Sequence, residues 1–332
     1  MAPRASLVIC TRNRSAFLAR TLASLVGQTE RDFEVVLVDD GSEDDTREVA
    51  RAWGERLDLR YLRRAHVGIA GARNAAMRAA KGDVLISTDD DRIAAPAFVA
   101  DHVAAHAVPE RRVGVGRQRA LFAEWARDAA YTAADVAAFV AAHPDLAPRL
   151  VEPRAVLVTP EQLLADLPGT LAAFELAEPW WTSYAARVIA TWGEPLAGFA
   201  FPWTLGVGGN TSVLRALADE VGLLDDRFVG WGLEDADFHY RLHLAGARTY
   251  VIPGGVNYHQ VHRRGPELAG EWLRNAHRLL EKHAAPEVIL YLWVCRGRFT
   301  LERANELAAA CTDNALAGEL VRTLRDHFAL LR

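Results

Sequence analysis

The first part of the chain alternates apolar runs with stretches of helical spacing, and this alternation restricts the fold more than any other feature. Ser6–Cys10, Phe33–Val38, Asp58–Leu62 and Val84–Thr88 read as strands. Between them lie a helix over Ser15–Gly27, with Phe17, Leu18, Leu22 and Leu25 on one face, a helix entered at Asp44 and running through Val49–Trp53, and a helix over Gly71–Ala80. A further helical pattern, Ala97–Ala107, opens beside Pro96. The order βαβαβαβ requires a parallel sheet with right-handed crossovers, an α/β architecture. Open sheets of that kind bind ligands outside the carboxyl ends of their strands. The loops there hold Thr11, Arg12, Asn13 and Arg14, then Asp39 and Asp40, then Asp89, Asp90 and Asp91, so one ligand can touch all three.

The aspartate triplet closes the fourth strand. Three adjacent carboxylates repel one another unless a cation sits among them. A divalent ion held by oxygens and bridging to a phosphate answers that repulsion. A solvated acidic turn is the alternative, and the position at a strand's carboxyl end favours the ion.

Of the 332 residues, 51% are hydrophobic and 24% charged, the profile of a globular protein with a substantial core. The net charge of -5 carries no basic footprint for nucleic acid. Cys10, Cys295 and Cys311 are too far apart for a zinc framework or a disulfide scaffold, and Cys10 reads as a small core residue. That usage suits a reducing cytoplasm. The apolar part of the N-terminus is too short for a signal peptide, and Val288–Cys295, the longest apolar run, is too short for a membrane span. Peripheral attachment at a membrane stays open.

The middle, from Pro109 to Ala200, reads as a strand at Val113–Gln118, helices over Leu121–Ala142, Glu161–Leu167 and Pro179–Trp192, and a cover over the site. The segment from Trp125 to Trp203 is tryptophan-rich. Gly206–Ser212 is a glycine-rich turn expected to lead into a helix at Val213, and Arg248–Ile252 reads as a strand. Amphipathic helices fill Pro266–Arg332. The expected organisation is a nucleotide-binding half at 1–108, an acceptor-binding and catalytic half at 109–265, and a helical extension at 266–332.

Several segments gain meaning together. Thr11-Arg-Asn-Arg14, Val38-Asp-Asp-Gly-Ser42 with Thr46, Gly68–Asn74 with Arg73 and Asn74, and Asp89-Asp-Asp91 follow strands in the order T-x-N-R, V-D-D-G-S-x-D-x-T, G-x-x-x-A-R-N and D-x-D. No G-x-G-x-x-G dinucleotide fingerprint is present in the glycine segments. The series resembles the nucleotide-sugar half of family 2 glycosyltransferases, which have the GT-A fold, a Rossmann-like, mostly parallel sheet flanked by helices. Gly230-Trp-Gly-Leu-Glu234-Asp235 looks like the G-W-G-x-E-D segment of galactosyltransferase-like members, and Gly208-Gly-Asn210-Thr-Ser212 like the family's G-G-N-x-S turn.

The resemblance implies an inverting transfer of sugar from a nucleoside diphosphate, UDP-linked hexose or N-acetylhexosamine by preference, to a hydroxyl of a glycan, lipid-linked sugar or small metabolite. It implies Mn²⁺ or Mg²⁺ on the diphosphate. Carried onto this chain, Asp235 is the catalytic base and Glu234 contacts the acceptor. Thr11–Arg14, Asp39, Asp40, Arg73, Asn74 and Asp89 hold the nucleotide, and Gly209, Asn210 and Trp231 lie near the sugars. Asp91 is the metal ligand, joined by His259, His262 or both; Asp89 lies on the ribose side or at a metal-bound water, and Asp90 is incidental. Arg263 and Arg264 are available to neutralise diphosphate charge. An inverting transfer needs one carboxylate to take the acceptor proton and no second carboxylate as nucleophile. The competing readings are a nucleotidyltransferase, which lacks its glycine-rich opening here, and a non-catalytic sugar-nucleotide or glycan-binding module.

Overall fold

The computed structural model describes residues 2–127, 131–176, 183–206, 208–262, 268–311 and 315–329. The opening alternation is β1 (Ala5–Thr11), α1 (Ser15–Val26), β2 (Phe33–Asp39), α2 (Thr46–Trp53), β3 (Leu59–Arg63), α3 (Ile69–Ala79) and β4 (Val84–Thr88). The aspartate triplet turns the chain from β4 into β5 (Arg92–Ala94), followed by α4 (Phe98–Ala105) and the long β6 (Arg112–Leu121). Then come β7 (Glu124–Ala126), α5 (Ala133–Ala142), β8 (Arg154–Val156), α6 (Pro160–Ala165), α7 (Leu167–Phe174), β9 (Glu175–Leu176) and α8 (Ser183–Trp192). The chain re-enters the sheet through β10 (Asn210–Leu214), then forms α9 (Arg215–Val221), α10 (Glu234–Leu244) and β11 (Arg248–Gln260). It ends with α11 (Leu268–Lys282), α12 (Pro286–Cys295), α13 (Leu301–Ala310) and α14 (Ala315–Ala329).

Among the described residues the main sheet runs β3-β2-β1-β4-β10-β6-β11-β5, with β9 added on β6. The β3-β2-β1-β4 part is parallel, as the alternation requires. β10 is antiparallel to both β4 and β6, and β11 runs parallel to β6. Pairing of Asn210 with Thr88 brings Gly208 and Gly209 to the edge where the aspartate triplet emerges. β5 folds back antiparallel on β11, placing Arg92 opposite His259.

β1, β2 and β4 are buried along almost their whole length, and their apolar residues pack into two layers. Leu7, Ile9, Leu37 and Ile86 meet α1 and α4; Val8, Val36, Val38 and Leu85 meet α3. Helices α11, α12 and α14 build their own apolar cluster with α10, in which Tyr240, Leu279, Ile289 and Phe328 are buried, while α13 packs Leu301 and Ala304 into the α3 layer's cluster.

Four sequence expectations change. The glycine turn leads into strand β10, with the helix delayed to Arg215, because Asn210–Leu214 completes the ladder between β4 and β6. Leu121–Ala142 is not one helix: β6 runs on to Leu121, β7 follows, and α5 starts only at Ala133 behind a Thr132–Asp135 capping box. β11 continues past Ile252 to Gln260 through a bulge, so His259 stands on a strand. Asp44 accepts from the Thr46 N–H at 3.1 Å, one residue outside the Asp45 cap position of α2. The alanine-rich composition of Leu121–Ala142 hid the break ahead of α5, since alanine fits either face of a helix. The Pro179–Thr182 part of the expected helix lies outside the described residues, as do Arg263 and Arg264.

Candidate active site

A cavity of about 880 Å³ opens along the sheet edge where β1 and β4 end and β10 begins. That volume is typical of a small-molecule site. Thr11, Arg12, Arg14, Asp40, Arg73, Asp89, Asp90, Asp91, Gly209, Trp231, Glu234, Asp235, His259 and His262 all line it. The distant motifs of the sequence thus converge on one volume.

At one end Asp40 organises the approach to α3. Its carboxylate accepts from the backbone N–H groups of Val67 and Gly68 at 2.7 and 3.0 Å and from His66 Nδ1 at 2.6 Å. Arg12 Nη1 lies 3.0 Å from the other ring nitrogen of His66. His66 escaped the sequence reading; its only signal is its place two residues before Gly68.

Asp91, His259 and His262 form the next group. One ligating atom from each lies within 4.8 Å of the others. An oxygen and two imidazole nitrogens from converging elements suit a divalent transition metal. Arg14 already approaches this group, with Nη1 2.7 Å from Asp91 Oδ2 and 3.1 Å from Asp90 Oδ1, and Nη2 2.7 Å from His262 Nε2. Burial would raise the Asp91 carboxyl, but its contacts with His259, His262 and Arg14 hold it well below the usual range. Burial also brings His259 down to about 4, so near pH 7 it acts on Asp91 as a hydrogen-bonding group and the positive charge comes from Arg14. Asp90 is not incidental: buried beside Arg14, it also receives the Thr21 hydroxyl on its backbone carbonyl at 2.8 Å. Asp89 stands apart from the metal-type group and faces Arg73 at 3.1 Å and Arg92 at 3.8 Å.

The glycine pair explains how two guanidinium groups fit here. A side chain on Gly208 would meet the Arg73 guanidinium at 2.8 Å, and one on Gly209 would meet Asp89 at 2.6 Å and Arg92 at 3.0 Å. Two arginines therefore pack against bare backbone. Arg73 is buried and reaches across the cavity floor from Asp89 to Glu234, the latter at 3.4 Å. Arg92 also escaped the sequence reading, because it sits inside a strand rather than a motif.

Glu234 and Asp235 begin α10. The left-handed backbone of Leu233, φ 71°, turns the chain into the helix after Gly230 and Gly232, both also at positive φ. Asp235 Oδ2 accepts from the Gly208 N–H at 2.8 Å and Oδ1 from the Ala236 N–H at 2.8 Å. Burial raises both carboxyls, and the Asp235 charge adds to the rise of Glu234, which reaches about 7. The two backbone donors favour the ionised form of Asp235, while Glu234 Oε2 is buried without a hydrogen-bond partner among the described residues. Tyr184 from α8, Trp272 from α11 and Tyr291 from α12 close this end. Cys10 packs against the core where the core meets the cavity wall, its thiol pushed up to about 12 by burial.

Four expected ligand-binding residues face elsewhere. Asp39 accepts from the Tyr61 hydroxyl at 2.5 Å and the Ser42 N–H at 2.7 Å. Asn13, at φ 54°, ties the loop after β1 to the loop after β2 through Ser42 and Glu43. Asn74 bonds both backbone groups of Leu224. Asn210 donates to the carbonyls of Arg117 and Gly255 and meets His102 Nε2 at 2.9 Å. Their polar atoms are spent on holding loops in place. Of the mid-chain cover, Val115–Arg119 and Tyr184–Ala190 reach the cavity, whereas α6 and α7 pack behind α1.

Residues 6–148 match the family described as glycosyl transferase family 2, and residues 192–263 the N-terminal domain of galactosyltransferase. Validoxylamine A glucosyltransferase of Streptomyces hygroscopicus subsp. jinggangensis is 31% identical over 288 residues, 85% of this chain and 61% of its own length. The uncharacterized glycosyltransferase YfnE of Bacillus subtilis is 32% identical over 266 residues, 78% of this chain and 65% of its own length. The chain thus spans less than two thirds of these curated relatives. The solved mannosyltransferase PcManGT of Pyrobaculum calidifontis, in complex with GDP-Man and Mn²⁺, superposes with a TM-score of 0.54 at 21% identity, covering all of this chain and 82% of that one. Among the described residues no helix is long and apolar enough to cross a membrane. With the parallel half-sheet, the D-x-D turn and the E-D helix meeting at one cavity, the chain belongs to glycosyltransferase family 2 and has the GT-A fold.

Proposed function

We propose that this protein is a metal-dependent, inverting glycosyltransferase that moves a sugar from a nucleoside diphosphate to the hydroxyl of an acceptor. The observation that carries this reading is Arg73, whose guanidinium joins Asp89 of the D-x-D turn to Glu234 beside Asp235. Asp91, His259 and His262 hold the ion. Two imidazoles in the set favour Mn²⁺ over Mg²⁺, which prefers oxygen. When bound, the ion neutralises charge on the departing diphosphate. Thr11, Arg12 and Asp40 receive the nucleoside end.

Asp235 takes the proton of the acceptor hydroxyl. The acceptor oxygen then forms its bond to the anomeric carbon from the face opposite the leaving group. The bond from that carbon to the diphosphate oxygen breaks, and its electron pair leaves with the diphosphate. The backbone donors on Asp235 aim the carboxylate while leaving it lone pairs for the acceptor. Glu234 holds its place through Arg73 and contacts the acceptor, with Trp231 alongside. The donor is a UDP-linked hexose or N-acetylhexosamine, and the acceptor a glycan, lipid-linked sugar or small metabolite.

A thermal-shift screen of UDP, GDP and dTDP and their sugars, with and without Mn²⁺, tests this directly. Ligand binding to the native state raises the melting temperature. Stabilisation by a nucleoside diphosphate that requires Mn²⁺ is expected; no stabilisation by any of them, with or without metal, overturns the reading.

A further inference from the structure

Arg92 is a buried cation whose charge is poorly satisfied within the chain. Its side chain is 7% exposed, yet Nε and Nη1 have no hydrogen-bond partner among the described residues. The nearest carboxylate oxygens, Asp91 Oδ1 at 3.7 Å and Asp89 Oδ2 at 3.8 Å, are beyond hydrogen-bond length. A guanidinium cannot give up its proton, so these donors remain a cost in the free protein. The fold nevertheless fixes the group firmly. Arg92 is the cross-strand partner of His259, and directly paired residues share one face of the sheet. Its guanidinium is packed against the bare backbone of Gly209. It lines the cavity between the metal-type group and the glycine turn.

Resting on the reading of this cavity as a nucleotide-sugar site, we propose that Arg92 binds the β-phosphate of the nucleoside diphosphate. The phosphate supplies the hydrogen-bond acceptors that Nε and Nη1 lack among the described residues, where Asp89 and Asp91 offer charge only from a distance. As the bond between sugar and diphosphate breaks, the electron pair passes to the phosphate oxygen, and a fixed guanidinium stabilises that growing charge without reorganising. Arg14 and Arg73 differ from Arg92 in being already engaged at hydrogen-bonding distance, with Asp90, Asp91 and His262 for Arg14 and with Asp89 and Glu234 for Arg73.

Titration calorimetry with Mn²⁺ present tests the proposal, using UDP against UMP and GDP against GMP on wild type, Arg92→Lys and Arg92→Gln. Loss of a charged hydrogen-bond donor is expected to weaken the diphosphate by about tenfold to a hundredfold in Arg92→Gln while the monophosphate is unchanged. Arg92→Lys retains the charge without the fork, falls between, and answers the question if the glutamine variant does not fold. Equal weakening of mono- and diphosphate indicates a structural role and overturns the proposal, as does no weakening of either. Diphosphate binding unchanged with only the nucleotide sugar weakened also overturns it, placing Arg92 on the sugar. If wild type binds no nucleoside diphosphate at all, the nucleotide-sugar reading itself fails, and this inference with it.

Discussion

The Arg14 guanidinium lies 2.7 Å from Asp91 Oδ2, the oxygen that also faces His262 Nε2 at 3.0 Å and His259 Nε2 at 3.5 Å. The chain thus brings its own cation to the group that would hold a metal. Arg14→Gln removes the one guanidinium that bridges Asp90 and Asp91, leaving Asp91 to the two histidines and the more distant Arg92. We expect the metal-free variant to lose about 2 kcal/mol of stability, less than for a fully buried pair because Arg14 is partly exposed. Mn²⁺ should recover more of the melting temperature in the variant than it adds to wild type. Equal Mn²⁺-induced shifts in the two proteins would refute the role of Arg14 as countercharge.

Asp235→Asn keeps the shape of the side chain and one of its two backbone hydrogen bonds, since an amide nitrogen cannot accept from an N–H, and it cannot take a proton. Transfer should fall by about a hundredfold to ten-thousandfold, the range for loss of a general base. Nucleoside diphosphate affinity should hold steady in the same preparation. Wild-type turnover in this variant would remove Asp235 from the chemistry.

Asp237 has no solvent exposure and is met by Arg241 at 2.9 Å, Lys282 at 2.8 Å and His283 at 2.7 Å. It fastens α11 to α10 two residues after Asp235. Asp237→Ala strands cations of two helices, and urea unfolding should show a loss of about 3–5 kcal/mol. A change below about 1 kcal/mol would mean that apolar packing alone docks the C-terminal helices.

Burial lowers His102 and His106 to about 4 and His239 to about 3. Each takes up a proton in the unfolded chain near pH 6.5 but not in the folded one until much lower pH. Between those values the unfolded state binds more protons, so stability falls as pH falls. From pH 7 to pH 5 each histidine should cost about 2 kcal/mol. His102 bonds Asn210 and Ser212 behind the glycine turn. Denaturant titrations at the two pH values should show a smaller acid loss in His102→Gln. An identical loss would assign the acid sensitivity to other groups.

The parallel half of the sheet was legible because its strands are buried on both faces and read as unbroken apolar runs, as Val35–Val38 and Val84–Ile86 do. Asp91, Glu234, Asp235 and the histidine pair were legible through the family resemblance, and they line one cavity. In the second half of the sheet the starts of β6 and β11 were legible, but β10 and the extension of β11 were not. β10 is short and polar, and its strand character comes from its neighbours β4 and β6 rather than its own pattern. Asp39, Asn13, Asn74 and Asn210 show the limit from the other side. Their motifs mark loop geometry as strongly as ligand contact, and only the hydrogen bonds separate the two. Arg92 and His66 carry no pattern; their neighbours come from other strands and loops.

Glu234 and Asp235 stand side by side and both face the Arg73 guanidinium, so a proton gained or lost at one changes the field felt at the other. A pH–rate profile of this protein will therefore report apparent constants of the Glu234–Asp235 pair, not the signature of a single carboxylate.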